Sequence, residues 1–275
     1  MRPTLLALLT FVLAGCTTMD TYPWPRSVEY MADGGILVFS QTKDWRHEEA
    51  IPAATLYLVK YAEAHGLAIH STEDSRVFNE ADLARFSVVV FNNASGNLLT
   101  SPQRVAFEAW LMEGGGFLGI HGAGDGSQAD WDWYQNELIG ALFTGHIMVP
   151  QFQEADLHVL AADHPVVEDL PATFRLQDEW YSFDQVPDDR FTLLLGLDEA
   201  SYEQKAGGIW PDEDLVMGTT PAQHPIAWAR CIGEGRSVYS ALGHTAAAYE
   251  GEEHRQLLTN ALDWIAGQGP SCALR

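Results

Sequence analysis

Three histidines of this 275-residue sequence stand where short apolar runs end, at positions that would follow strands of a sheet. His121 follows FLGI within the stretch GGGFLGIHGAGDG, His146 closes FTGH, and His244 closes ALGH. Imidazole nitrogens bind zinc, iron, nickel and copper, and three of them with an open position make a catalytic metal site. We therefore expect His121, His146 and His244 to bind a divalent metal, zinc or manganese. Their wide spacing leaves two other roles open, a general base and a hydrogen-bonded structural group.

A carboxylate pair lies in the strand-like stretch DEWYSF. Adjacent strand residues point to opposite faces, so only one of Asp178 and Glu179 would face a site. We expect it to be Glu179, because Tyr181 would then share its face. A carboxyl group beside an apolar ring is suited to act as an acid or base with a raised pKa, and the alternative is an acidic surface pair. The predicted catalytic groups are therefore His121, Glu179 and His244.

Further polar and aromatic residues follow the same apolar runs and would line the same site. Tryptophan and tyrosine offer flat apolar faces on which sugars stack, although core packing is the alternative for most of them. Arginine, histidine and asparagine offer hydrogen bonds to hydroxyl groups. The predicted substrate-binding residues are Arg46, His47, Asn93, Trp131, Trp180 and Tyr181.

The elements that must position these residues alternate in the first half of the chain. Runs rich in β-branched residues predict strands, and apolar residues at helical spacing predict helices. The predicted strands cover residues 34–41, 67–72, 86–93 and 117–120, and the predicted helices cover 48–65, 100–113 and 129–140. Such alternation indicates a parallel sheet with helices on both faces, and ligands of such sheets bind at the carboxyl ends of the strands.

The second half of the chain has strands without long helices between them. Its predicted elements are strands over 153–160, 174–183 and 191–197, an antiparallel hairpin over 225–244, and a closing helix over 252–266. We therefore expect one α/β domain over residues 34–268, with a mostly parallel sheet and an added antiparallel hairpin, followed by a short tail over 269–275.

Composition excludes some classes of protein. The formal net charge is -23 and 47% of the residues are hydrophobic. A chain this acidic lacks the basic face that nucleic-acid phosphates require, so nucleic acid is not an expected partner. The apolar content is typical of a folded domain with a sizeable core.

The amino-terminal residues 1–15 read as an export signal, with Arg2, a short apolar run and the box LAGC. This pattern resembles the lipobox of bacterial lipoproteins, and it predicts a lipid on Cys16 and a tether over residues 16–33. An ordinary secretory signal is the alternative. Thr17 after the cysteine favours the periplasmic face of the outer membrane. In that oxidising compartment, Cys231 and Cys272 are either a disulfide or two unpaired thiols.

The order of motifs across the chain resembles the ThuA-like, or trehalose-utilisation, family. The motifs are RHEEAI, GGGFLGIHGA, the spaced FTGH, DHPV and DEWYSF stretches, and MGTTP followed by PIAWAR, GEGR and ALGH. The resemblance spans residues 36–266. It implies a class I glutamine-amidotransferase-like fold, which is a flavodoxin-like three-layer α/β sandwich.

The resemblance also implies a role in the breakdown of disaccharides and glycosides beside a sugar dehydrogenase that makes 3-keto-glycosides. Amidotransferases of this fold carry a cysteine nucleophile at the sharp bend where this chain has His121, so glutaminase activity is not expected. A base, a Lewis acid and an acid would together cleave a 3-keto-glycoside. The alternative function is a lipoprotein that binds sugar without catalysis.

Overall fold

The computed structural model describes residues 31–204, 209–210 and 215–267. The predicted signal, Cys16, most of the tether and the tail with Cys272 lie outside these residues. Cys231 is disulfide-bonded. Within the described residues, no helix combines the length and the apolar character that crossing a bilayer needs.

The first half of the chain forms alternating strands and helices, as predicted. Its elements are β1 (Gly35–Phe39), α1 (Ala50–His65), β2 (Ile69–Thr72), α2 (Glu80–Leu83), β3 (Phe86–Asn92), α3 (Ser101–Met112) and β4 (Gly116–Ile120). The short helix α2 was not predicted. Helix α1 ends where Gly66 adopts a left-handed conformation (φ 65°), and α3 begins where the Gln103 side chain accepts a hydrogen bond from the Thr100 backbone N–H (2.8 Å).

The second half consists mainly of strands. Its elements are β5 (Phe143–Ile147), β6 (Gln153–Val159), β7 (Thr173–Asp178), β8 (Tyr181–Phe183), β9 (Thr192–Leu197), β10 (Ile209–Trp210), β11 (Pro225–Ile232), β12 (Gly235–Ser240) and the closing helix α4 (Glu252–Ile265). The hairpin β11–β12 and helix α4 confirm the sequence prediction.

One large mixed sheet organises the molecule, with the strand order β2-β1-β3-β4-β12-β11-β9-β6-β7. Strands β2, β1, β3, β4 and β12 are parallel, whereas β11, β9, β6 and β7 pair antiparallel. A small second sheet has the order β10-β5-β8. Strands β1, β4 and β12 are buried over their whole length. The predicted fold class, a mostly parallel α/β sheet with an antiparallel addition, is confirmed.

Two predicted elements differ from the structure. The helix predicted over 129–140 is a shorter helix whose turns from Tyr134 to Ile139 are π-helical, and it ends at Gly140 (φ 85°). The strand predicted over 174–183 is two strands, because β7 ends at Asp178 and β8 belongs to the second sheet. This break decides how the carboxylate pair is placed.

Candidate metal centre

His121 occupies the sharp bend that ends β4. Its φ of 43° is in the left-handed region, which costs a residue with a Cβ free energy and is found where a site requires it. The side chain is fully buried, and its Nδ1 lies 2.6 Å from the Ala241 carbonyl oxygen. A carbonyl can only accept, so Nδ1 carries a proton, and Nε2 on the other side of the ring is left to hold a second proton or a metal ion.

The Nε2 atom of His121 meets two further groups that follow distant strands. His121 Nε2 is 3.0 Å from His244 Nδ1 and 3.3 Å from Glu179 Oε2. His244 Nδ1 and Glu179 Oε2 are 2.9 Å apart. Three electron-rich atoms this close need a cation between them, and either one shared proton or a metal ion meets that need.

His47 completes the cluster from the loop after β1. Its ring centroid lies 4.8 Å from that of His121 and 4.6 Å from that of His244. Among the described residues, no polar atom hydrogen-bonds to the buried Nδ1 of His47. Burial, together with the neighbouring rings of His121 and His244, lowers the pKa of His47 to about 2, so the ring is neutral. A buried neutral imidazole with an unused nitrogen is suited to bind a metal.

The cluster could therefore hold a metal ion. His47, His121, Glu179 and His244 each offer one ligand atom, and these atoms lie within 4.8 Å of one another. Three imidazoles and one carboxylate are ligands that zinc, manganese and other divalent transition metals accept. The Ala241 carbonyl that fixes His121 is the kind of outer partner that orients a ligating imidazole. The orphaned His47 nitrogen and the donor set both fit such an ion.

The predicted metal ligand His146 is placed differently. Its Nδ1 lies 3.1 Å from Glu179 Oε1, which is the carboxylate oxygen that faces away from His121 and His244. Gln151 Nε2 donates to the same oxygen at 2.6 Å. His47, which was predicted to bind substrate, is the third imidazole of the cluster. The two carboxylate oxygens of Glu179 thus divide their neighbours, with His121 and His244 at Oε2 and His146 at Oε1.

Of the carboxylate pair, Glu179 belongs to the cluster and Asp178 does not, but strand alternation is not the reason. Strand alternation does not apply, because β7 ends at Asp178 and the chain turns before β8. Asp178 accepts hydrogen bonds from the backbone N–H groups of Gly243 (2.7 Å), His244 (3.2 Å) and Glu179 (2.9 Å). The buried Asp178 carboxylate therefore anchors the loop that carries His244, while Glu179 contacts its ring.

The charge state of the centre also differs from the prediction of a raised pKa for Glu179. Burial opposes ionisation, but the hydrogen bonds with His121 and His244 outweigh it and lower the pKa of Glu179. Burial likewise opposes protonation of His121, and contact with Glu179 nevertheless raises the pKa of His121. Burial lowers the pKa of His146. The carboxylate is therefore the fixed negative charge of the cluster.

Tyr181 and Asn93, which were predicted to bind substrate, lie beside His121 and are buried. Both contact the bend that carries this histidine. The Tyr181 ring stacks on the His121 ring with 4.2 Å between centroids. Asn93, with a φ of 51°, is fully buried, and its Oδ1 accepts from the Gly122 N–H at 3.4 Å. These contacts hold the bend that carries His121.

The other predicted substrate-binding residues are engaged elsewhere. Arg46 pairs with Glu73 (2.7 Å) and Glu48 (3.2 Å) on the surface. Trp131 donates to Glu108 (2.7 Å) and packs in the core, 5% exposed. Trp180 donates to the Gln153 carbonyl (3.0 Å) and is 4% exposed. Neither indole offers an open face to a sugar, because both are almost fully buried.

Sequence reasoning missed Phe152 and Gln151. The Phe152 ring is 36% exposed and lies 5.0 Å from the His244 ring. Both residues precede β6 rather than follow a strand, so their position in the sequence does not indicate a site at the carboxyl ends of strands. Their proximity to FTGH in the sequence was the one available signal.

The comparisons with known proteins agree with this fold. The family described as ThuA, trehalose utilisation, matches residues 35–265, and the chain belongs to this family. Its membership implies a function related to carbohydrate utilisation. No curated protein matches the sequence.

Solved structures share the fold at low sequence identity. A ThuA-like protein from Bacteroides uniformis ATCC 8492 is 24% identical with a TM-score of 0.70, and the match covers 85% of this chain and 92% of that one. One from Parabacteroides merdae ATCC 43184 is 17% identical with a TM-score of 0.64, covering 86% and 90%. A β-galactosidase from Rahnella sp. R3 is 11% identical with a TM-score of 0.52, covering 85% of this chain and 31% of that one.

Proposed function

We propose that this protein cleaves 3-keto-glycosides by metal-assisted acid–base chemistry. The observation that carries the proposal is the cluster of His47, His121, Glu179 and His244, which sits at the carboxyl ends of the parallel strands where ligands of such sheets bind. A binder of neutral sugar has no need for three imidazoles around a buried carboxylate. Family membership supplies the carbohydrate context.

The side chains at the centre differ in their access to a ligand. His121 and Glu179 are 0% and 2% exposed, whereas His146 and His244 are 12% and 14% exposed. A substrate therefore meets His146 and His244 first. When bound, a divalent ion would supply positive charge beside the keto and hydroxyl oxygens of the sugar.

The proposed reaction begins with the hydrogen on C2, which the neighbouring 3-keto group makes acidic. His146, which is outside the ligand set and held by Glu179, takes this proton, and the electron pair moves into the enediolate. The pair then expels the oxygen on C1 as the C1–O bond breaks, and His146 returns the proton to that oxygen. Addition of water across the resulting double bond completes the net hydrolysis to a 3-keto sugar and an alcohol.

The first experiment measures metal content in the full chain, purified without a histidine tag. We expect about one divalent ion per chain in the wild type and loss of that ion in His121→Ala, with His65→Ala as a histidine control outside the cluster. Turnover of a 3-keto-glycoside should require the ion and should stop with a chelator. Full activity of His121→Ala would overturn the proposal. Sugar binding without turnover in the metal-loaded protein would favour the non-catalytic sugar-binding function.

We also propose that the protein is exported and anchored by a lipid on Cys16 at the periplasmic face of the outer membrane. The order of Arg2, the apolar run and LAGC supports this location. Mass spectrometry of the amino-terminal peptide should show a diacylglyceryl cysteine, and Cys16→Ser should release the protein from the membrane fraction. An unmodified Cys16 in membrane extracts would contradict the anchor.

A further inference from the structure

An open groove lies beside the metal cluster, in the antiparallel half of the molecule. Its volume is about 520 Å³, which is within the range of small-molecule sites. Phe152 and Glu154 line one wall at the start of β6, Gln177 of β7 extends it, and Tyr202 and Glu203 line the other wall. None of these residues belongs to the cluster.

Two residues connect the groove to the cluster. Phe152 lines the groove and also lies 5.0 Å from His244, measured between ring centroids. Its neighbour Gln151 donates to Glu179 Oε1 at 2.6 Å, on the side of the carboxylate that His146 approaches. A ligand with one ring at His146 and His244 would therefore place a second ring in the groove.

The lining of the groove selects the chemistry of that second ring. Phe152 and Tyr202 offer aromatic surface, and the Tyr202 hydroxyl makes no hydrogen bond to the described residues. Glu154 and Glu203 add carboxylate acceptors, and the described residues that line the groove include no lysine, arginine or histidine. The nearby Arg175 is paired with Asp156 (2.7 Å) and Glu154 (3.5 Å). Aromatic faces with acceptors suit hydroxyl groups, whereas a phosphate would meet like charge.

We propose that this groove is the leaving-group subsite and that it takes a neutral, unphosphorylated sugar ring. The assignment to a leaving group rests on the proposed function above. The preferred substrates are then glycosides of two neutral rings, and sugar phosphates are disfavoured. Binding in the groove is separable from turnover, because the groove residues lie outside the metal ligands.

Calorimetric titration of the full, metal-loaded chain tests this assignment with trehalose, maltose and cellobiose as neutral probes and trehalose 6-phosphate as the charged one. We expect at least one neutral disaccharide to bind, and trehalose 6-phosphate to bind at least about tenfold more weakly than that disaccharide. Tyr202→Phe should weaken neutral binding about fivefold and Phe152→Ala about tenfold. Val105→Ala, at an exposed position of α3, should bind as the wild type does.

Zinc affinity, measured on each variant, reports whether the fold and the cluster are intact. Equal affinity for the phosphorylated and neutral disaccharides, or unchanged affinity in both groove variants, would overturn the subsite. Absence of binding by all three neutral disaccharides would overturn it as well. Groove-dependent binding without any turnover of 3-keto-glycosides would instead overturn the proposed function and leave the neutral-sugar groove standing.

Discussion

The parallel and antiparallel halves of the sheet contribute different parts of the site. The parallel half supplies the imidazoles of the cluster, since His47 follows β1, His121 follows β4 and His244 follows β12. The antiparallel half and the small sheet supply Glu179 and His146, together with the groove. The cluster therefore draws its ligand atoms from both halves of the molecule.

This division separates the groups that bind the metal from the groups that reach a substrate. Strands β1, β4 and β12, which precede the three imidazoles, are buried over their whole length, so they hold the ligand atoms in place. The antiparallel half brings the one carboxylate whose charge holds the imidazoles together. It also carries the surfaces that reach a substrate. The metal-binding groups and the substrate-facing groups can then be tested separately, because loss of a ligand or its anchor should affect metal binding, whereas loss of His146 should affect turnover.

The largest expected effect separates His146 from the ligands. His146→Ala should lower kcat on a 3-keto-glycoside by roughly 10²–10⁴-fold, because it removes the proposed proton carrier. Metal content should stay near the wild-type value, since His146 is outside the cluster and meets the Glu179 oxygen that faces away from His121 and His244. Metal analysis and steady-state kinetics on the same preparation check this. Loss of the ion in His146→Ala would place His146 among the ligands after all.

The second prediction compares the packing of the two halves. Leu118 in β4 is fully buried, and Leu118→Ala should lower the free energy of unfolding by about 2–5 kcal/mol. Leu176 in the edge strand β7 is only partly buried, and Leu176→Ala should cost about 1 kcal/mol. Urea denaturation of both variants measures the difference. Equal losses of unfolding free energy would mean that the two leucines contribute equally to packing despite their different burial.

The third prediction concerns the anchor between the halves. Asp178 accepts the Gly243 and His244 backbone N–H groups across the junction. Asp178→Asn should weaken metal binding by about 10–100-fold, as expected when an outer partner of a ligand is altered. Competition with a chromophoric chelator gives the affinity. Asp156→Asn, which removes a carboxylate from the surface of β6, is the matched control and should leave the metal affinity unchanged.

The fold was accessible from the sequence because its signals are local. Apolar runs, the Gly66 helix end and the Thr100–Gln103 cap each depend on neighbours within a few residues, and β1, α1, β3, α3 and β4 formed as predicted. The π-helical turns at Tyr134–Ile139 depend on tertiary packing instead. The break after Asp178 depends on the pairing of β8 with β5, which no local pattern encodes.

The sequence predicted most residues of the site but not the role of each residue. Listing residues after strands found His47, His121, Glu179 and His244, because parallel strands bring their ends together. The histidines are divided by which oxygen of the Glu179 carboxylate they approach. That depends on distances of about 3 Å between segments far apart in sequence, which the sequence does not contain. Tryptophan burial could not be read from loop positions, and so Trp131 and Trp180 were assigned to substrate.

The smallest expected effect concerns the contact of the antiparallel half with helix α4. His164 follows β6, its ring packs 4.9 Å from that of Trp264, and its Nδ1 accepts from the Val166 N–H at 3.2 Å. Burial lowers the pKa of His164 to about 4, below the ordinary 6.5. The unfolded chain therefore binds more protons between pH 4 and 6.5, and the contribution of His164 to stability falls as pH drops through this window.

Replacing this histidine by a residue without a charge change isolates that contribution. His164→Asn keeps a side-chain acceptor for Val166 and does not titrate, so it should flatten the loss of stability between pH 7 and pH 4.5. The ring is partly exposed, and solvent screening limits the difference to about 1 kcal/mol or less. Urea denaturation of the wild type and the variant at the two pH values measures this difference. The other titrating groups are the same in both proteins, so their contributions cancel. If His164→Asn instead lost more stability than the wild type between pH 7 and pH 4.5, the folded state would prefer the charged ring.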